Sequence, residues 1–257
     1  MTRVLTTWLP PMVFGVVLLG LWQVLTVAAG VPAFLLPSPS AIADAFATNL
    51  DAIVKAATAT GVNALVGLLC GAILGIAAAV LAVRFRVADG LLGALAAGAA
   101  AVPIVALAPL LNSMYSTTTD TPRRLVATIV VFFPVFVSTA KGLRQVPQVQ
   151  ADLMTAYAAT GWQVTRTVRL PAALPYLFTG LRIAAPGAVI AAIIAEYFGG
   201  LQHGLGSRIT SAAANTAYPR AWAFVTAAMI LGLLFLAAVL FLEQLTRRPR
   251  ITLWRSK

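Results

Sequence analysis

ATGVNALVGLLCGAILGIAAAVLAV, residues 59–83, contains no charged side chain and exceeds the roughly 20 apolar residues that a helix needs to cross a bilayer. The run is too long for a strand in a soluble core, which rarely exceeds about 10 residues. Within it Gly67, Gly71 and Gly75 recur every fourth residue. That spacing puts small residues on one helical face and lets a second helix approach closely in lipid. Cys70, inside the same run, has no partner for an intrachain disulfide and no metal-ligand spacing, and reads as a small buried apolar residue.

Outward from this run the pattern repeats. Comparable stretches lie at 10–29, 88–111, 125–140, 176–198 and 221–242, the 125–140 run being short enough to need residues from its flanks. Pro103 and Pro109 in the third run mark either a helix facing the bundle interior or a helix end. Of the 257 residues, 60% are hydrophobic and 10% charged, and the mean hydropathy is +0.92. A soluble domain carries about 25% charged residues and needs polar cover that this chain lacks. The fold expected is all-α: an integral membrane bundle of six transmembrane helices forming one domain over 1–257. The first run follows Arg3, but it is longer than the apolar core of a secretory signal, and Thr26-Val27-Ala28 is a poor cleavage site. It reads as a retained first helix.

The net charge of +11 does not point to nucleic acid, because the basic residues sit in short clusters between apolar runs. With six spans and a cytoplasmic N-terminus, Lys55, Arg123, Arg124, Arg208 and Arg220 fall outside and the other 13 of the 18 inside. The bias toward the inside predicts a multi-pass cell-membrane protein with both termini in the cytoplasm. Between the first two runs, Leu36-Pro37-Ser38-Pro39-Ser40 is a turn. Ser40 is expected to cap a short helix over 41–50, with Asp44 in its first turns and Ile42, Phe46 and Leu50 on one face.

No Ser-His-Asp set, paired carboxylates, metal-ligand spacing or G-x-x-x-x-G-K-[ST] phosphate loop is visible. The chain reads as a transport subunit, not an enzyme, with no cofactor and no metal. His203 reads as a surface loop residue. Glu196 ends a long apolar run, where a carboxylate is costly and functional by default. It is a candidate for a gate, for the lining of an outer vestibule, for a pair with Arg208 or Arg220, or for a solvated helix end. Asn112, Ser113 and Tyr115 are candidates for the outward end of a translocation path.

The longest cytoplasmic connection, 141–175, carries DLMTAYAATGWQVTRTVRLP at 152–171. Its middle reads as a short helix with an acidic start at Asp152 and a small residue, Ala158, a turn and a half later. Leu153, Met154, Tyr157 and Trp162 supply apolar surface for a groove on another protein. The other reading is an amphipathic helix on the inner leaflet, held by Trp162 and Arg166.

The segment resembles the EAA loop of binding-protein-dependent ABC permeases. That family's pattern is an acidic residue, two Ala-like positions, three variable residues, Gly, nine variable residues, an aliphatic, one variable residue, then Leu-Pro. Asp152, Ala158, Val168 and Leu170-Pro171 fall on the acidic, glycine, aliphatic and Leu-Pro positions without a gap. Asp stands for Glu, Leu153-Met154 for Ala-Ala, and Ala158 for Gly, a change expected to keep the position small. The resemblance covers most of 35–230. It includes Leu36-Pro37-Ser38-Pro39-Ser40, Lys141-Gly142-Leu143-Arg144, Gly180-Leu181-Arg182, Ala195-Glu196-Tyr197-Phe198-Gly199 and Gly204-Leu205-Gly206.

The resemblance implies a coupling helix between spans four and five, docked on a cytoplasmic ABC ATPase dimer through Asp152, Leu153, Met154, Tyr157, Ala158, Gly161, Trp162, Val168, Leu170 and Pro171. It also implies a second permease copy, often identical, and an external solute-binding protein. The solute expected is a small heteroaromatic, a pyrimidine thiamine precursor or riboflavin. A nitrate, sulfonate or taurine importer is the alternative, and a secondary transporter or channel is the alternative of another class.

Overall fold

The computed structural model describes residues 2–85, 103–115, 119–145, 147–199 and 202–246, and no strand occurs among them. Nine helices are described: α1 Thr2–Ala28, α2 Pro39–Thr48, α3 Leu50–Arg84, α4 Ile104–Met114, α5 Thr121–Arg144, α6 Gln148–Ala156, α7 Gly161–Tyr197, α8 Leu205–Ala214 and α9 Tyr218–Thr246. Five are long and apolar enough to cross a membrane: Leu9–Ala28 of α1, α3, α5, α7 and α9. Of the third expected span, residues 88–102 lie outside the described residues, and α4 is the part that is described.

Small residues set the packing. A Cβ added at Gly71 would stand 2.6 Å from the Thr128 carbonyl oxygen, and one at Gly75 would stand 2.9 Å from that of Phe132. The glycine row therefore lets α3 and α5 meet backbone to backbone, as its spacing predicts. Gly67 faces Ala127, Gly71 faces Val131 and Gly75 faces Val135, so α3 and α5 run parallel. Gly180 faces Pro134 and Gly142 faces Tyr176, so α7 runs antiparallel to both. Around this trio Val131, Val135, Ala185, Ala188 and Ala192 are fully buried, and Phe224 of α9 closes one side. Outward faces stay apolar: Phe14, Ile73 and Leu233 are 69%, 66% and 64% exposed. In water such faces would drive aggregation, whereas lipid solvates them.

Parallel α3 and α5 also mean that the chain changes ends between Arg84 and Asn112. One end of the bundle holds the start of α5, the end of α7 and α8; it is called here the Asp120 end. The other holds the ends of α3 and α5, together with α6, and is the Arg144 end.

Several expectations change. The second span does not begin at 59: α3 starts at Leu50, because nothing between Asn49 and Arg84 breaks a helix. At about 52 Å it outruns the roughly 30 Å hydrocarbon core. The α2 cap is Ser38, whose Oγ accepts from the Ala41 N–H at 3.3 Å, with Pro39 in the first turn. Ser40 instead exchanges two 3.0 Å hydrogen bonds with Gln23 of α1. The earlier start moves Asp44 out of the first turn, and Leu50 is exposed while Ile42 is buried. Pro109 does not end α4, which continues to Met114. Cys70 is exposed on α3, not buried.

Candidate functional sites at the two ends of the bundle

At the Arg144 end the expected long loop is mostly helix. After α5 the chain passes through Gln145 and Pro147 into α6, turns at 157–160, and enters α7 at Gly161. α6 ends in a left-handed cap. The Ala159 N–H donates to the Met154 carbonyl at 3.0 Å and the Ala158 N–H to that of Thr155 at 2.9 Å. This is the paired bonding of a Schellman motif, which requires positive φ at the residue after the cap. That residue is Ala158, with φ of 49°. Ala158 stands outside the helix, exposed, in a conformation that glycine adopts without strain. The family's glycine at this position has a conformational explanation. Asp152 is likewise not at the helix start but one turn in.

α7 begins with a capping box. Thr160 Oγ1 accepts from the Gln163 N–H, and Gln163 Oε1 accepts from the Thr160 N–H at 2.7 Å. Helix then continues through Pro171 and Pro175, neither of which stops it. Residues Thr165–Arg169 form a π turn, with the Leu170 N–H bonded to the Thr165 carbonyl. The wider turn lies just before Pro171, where the missing N–H and the bulky ring disfavour ordinary helical spacing. Leu153, Tyr157 and Trp162 are 54%, 77% and 68% exposed, and Met154 is half-buried. Gly161, Leu170 and Pro171 are exposed and Val168 is half-buried.

At the Asp120 end Glu196 is buried, and neither Arg208 nor Arg220 is its hydrogen-bond partner. Its carboxylate accepts from Thr60 Oγ1 at 2.9 and 3.0 Å and from the Gly206 N–H at 2.8 Å. Thr60 Oγ1 in turn accepts from the Leu205 N–H at 2.8 Å. Two otherwise unbonded N–H groups at the start of α8 are thus satisfied by side chains from α3 and α7. Gly204 is packed against the carboxylate so closely that any Cβ would strike it. Asn112 of α4 is buried and donates to the Ala195 carbonyl at 3.3 Å, one residue from Glu196. Tyr115 is 40% exposed, and among the described residues Ser113 bonds only within its own helix, to Leu110. The structure thus brings Asn112 and Glu196 together and leaves Tyr115 apart. His203 is exposed in the loop before α8.

Beside this cluster Asp120 joins α5 to α3. Its Oδ1 accepts from the buried Arg123 at 2.6 Å and from Asn63 at 3.1 Å, while Asn63 accepts from Arg124 at 2.9 Å. Burial raises the Asp120 pKa, but the hydrogen bonds from Arg123 and Asn63 and the two arginine charges outweigh it and hold the carboxyl below its ordinary value. Arg182 of α7 donates through Nε to Glu243 of α9 at 2.7 Å, which ties those helices together. Sequence reading missed Thr60, Asn63, Asp120 and Glu243. Their signal is the cost of an acid in an apolar run, which demands a donor from another run. Spacing alone does not say which run supplies it.

Residues 71–251 match the family described as binding-protein-dependent transport system inner membrane component. A probable ABC transporter permease protein of Haemophilus influenzae is 31% identical over 77% of this chain and 80% of its own. The riboflavin transport system permease protein of Chloroflexus aurantiacus is 31% identical, covering 76% of this chain and 73% of its own. The formylaminopyrimidine transport permease protein of Halalkalibacterium halodurans is 28% identical over 97% of both. The match rules against the secondary transporter or channel and leaves a transport subunit. Its apolar helices, its packing and the matched stretch agree: the chain belongs to the binding-protein-dependent inner membrane components, the permease subunits of ABC transporters.

Proposed function

We propose that this permease forms half of an import pathway and that the turn between α6 and α7 is the handle by which a cytoplasmic ATPase moves it. The Arg144 end and both termini face the cytoplasm, a reading supported by the bias of basic residues. The Asp120 end faces outward and receives the solute from a binding protein. A second copy of the chain completes the pathway, as the resemblance to binding-protein-dependent permeases implies. The carrying observation is the exposed Leu153, Tyr157 and Trp162 around a projecting turn, in the stretch whose spacing matches the coupling loop. Apolar side chains in water at the tip of a membrane protein call for a protein partner. α7, at 37 residues and about 55 Å, outruns the bilayer and roots that turn directly in the bundle.

Asp152 and Tyr157 contact the ATPase, while Val168, Leu170 and Pro171 carry the root of the lever. Glu196 and Asn112 hold the outer closure at α8 and are positioning residues, not solute ligands. The test is crosslinking in cells of Tyr157→Cys in a Cys70→Ala background. A disulfide or bifunctional crosslink to the ATPase is expected. Labelling of Tyr157→Cys by a membrane-impermeant maleimide from outside intact cells would overturn the orientation and the handle together.

The solute is a small heteroaromatic. This reading rests on the names of two relatives, one for riboflavin and one for formylaminopyrimidine, which match over most of the chain. Taurine and aliphatic sulfonate permeases are also relatives and keep the anion reading as the second. Uptake of labelled riboflavin or aminopyrimidine, with taurine as competitor, separates the two. Inhibition by taurine alone would exchange their order.

A further inference from the structure

A cleft of about 650 Å³ opens at the Arg144 end, where α3 and α5 finish and α7 begins. Its apolar wall is Val80, Val83, Leu143 and Leu170, and its polar members include Arg84, Arg169 and Thr165. Trp162 stands at the opening, 68% exposed. The π turn Thr165–Arg169 supplies both Thr165 and Arg169, and π turns recur at functional sites. Among the described residues neither arginine has an acidic partner; Arg84 lies only over the Phe85 ring, 5.8 Å from its centroid. The described lining contains two cations and no anion.

We propose that this cleft binds the headgroup of an anionic phospholipid. Charge complementarity sets the sign of the occupant: guanidinium groups, each a planar fork of donors, suit a phosphate. The wall decides between a lipid and a free phosphate. Val80 and Val83 continue along α3 into the exposed Leu81, Leu74 and Ile73, an apolar track that an acyl chain follows and a free phosphate does not use. Basic pockets between transmembrane helices are a recognised form of headgroup site. The site lies against the root of α7, and its existence does not depend on whether the neighbouring turn grips an ATPase.

The experiment uses the full-length permease in phosphatidylcholine nanodiscs doped with brominated phosphatidylglycerol or brominated phosphatidylcholine. Bromine quenches tryptophan on contact, and the difference from Trp162→Phe isolates the Trp162 signal. Half-maximal quenching is expected at a mole fraction of brominated phosphatidylglycerol on the order of tenfold lower than for brominated phosphatidylcholine. Arg84→Gln with Arg169→Gln should erase that preference, and Arg84→Lys with Arg169→Lys should keep most of it. Millimolar glycerol phosphate should not displace the lipid. Equal quenching by both lipids, preference surviving in the double Gln variant, or displacement by glycerol phosphate would each overturn the proposal. The Lys pair guards against misfolding: if the Lys pair also loses preference while eluting as a native-sized particle, charge is not the cause.

Discussion

Ala158 is a residue at which one substitution should improve this protein. It occupies the left-handed region at φ of 49°, fixed there by the paired bonds from Ala158 and Ala159 back to Thr155 and Met154. An L-residue with a Cβ pays roughly 1–2 kcal/mol for that conformation. Glycine does not, but it gives back about 0.5–1 kcal/mol through its freedom in the unfolded chain. Ala158→Gly should therefore steady the turn by a net of about 0.5–1 kcal/mol, or roughly two- to fivefold in its closed population. Hydrogen exchange of the amides around 157–160, in full-length protein in nanodiscs, reads this directly as slower exchange. Ala158→Asn separates conformation from size, since asparagine is larger than alanine but tolerates left-handed φ. It should exchange no faster than wild type and still support ATP-coupled uptake, whereas the β-branched Ala158→Val should exchange faster. If Ala158→Gly exchanges faster, as glycine does inside a helix, the cap reading is wrong. If Ala158→Asn behaves like Ala158→Val, smallness rather than backbone shape governs the site.

Thr216 closes α8 with the same pair of bonds and φ of 57°, so Thr216→Gly should raise thermal stability by about 1 kcal/mol, measured as a shift in unfolding in detergent. Thr60→Val removes the donor to Glu196 and the acceptor for the Leu205 N–H; a loss of about 1–3 kcal/mol and faster exchange at the start of α8 are expected, with Glu196→Gln milder because an amide oxygen still accepts. Gly71→Leu drives a side chain into the backbone of α5 and should cost about 3 kcal/mol or more, whereas Gly232→Leu, where a Cβ meets nothing, should be near neutral in the same assay. Acid should loosen the Asp120 end. The Asp120 pKa is lower folded than unfolded, so its contribution is complete above the unfolded value of about 3.9 and is lost as pH falls through the folded value. Asp120→Asn should flatten that part of the pH–stability curve, and an unchanged curve would remove the network from the account.

The membrane bundle was legible because its causes are local. Uncharged runs of bilayer length and a row of glycines every four residues carry their own meaning, and that row marks the face of α3 that α5 covers. The entry to α7 was also legible, in the Thr-x-x-Gln spacing of Thr160 and Gln163, a capping box. The expected span nonetheless began at 176, because the run 161–175 carries too many polar residues to count toward bilayer length, whereas the π turn before Pro171 lets one helix pass from 161 onward. Two features were out of reach. The left-handed φ of Ala158 is set by hydrogen bonds at the end of α6 and has no residue signature when the residue is alanine. The partners of Glu196 lie 136 and 10 residues away, and only the antiparallel packing of α3 and α7 selects Thr60.

The two end sites are joined by one element. α7 starts in the Thr160–Gln163 box and ends in the Glu196 contacts, and between them Gly180 against Pro134 and Tyr176 against Gly142 seat it on α5 with no room to shift sideways. A close-packed helix transmits a push as a rigid body and bends where its hydrogen-bond ladder is interrupted, at π turns and at prolines. In α7 those places are the π turn Thr165–Arg169 and the internal Pro175 and Pro186. A displacement of the α6 turn therefore either carries Glu196 with it, opening the contacts of Thr60 and Gly206 at α8, or is absorbed at one of these points and goes no further. The π turn is the first of them that a push from α6 meets. The cleft of Arg84 and Arg169 is lined by that segment, so an occupant there would set how much of the stroke reaches the far end.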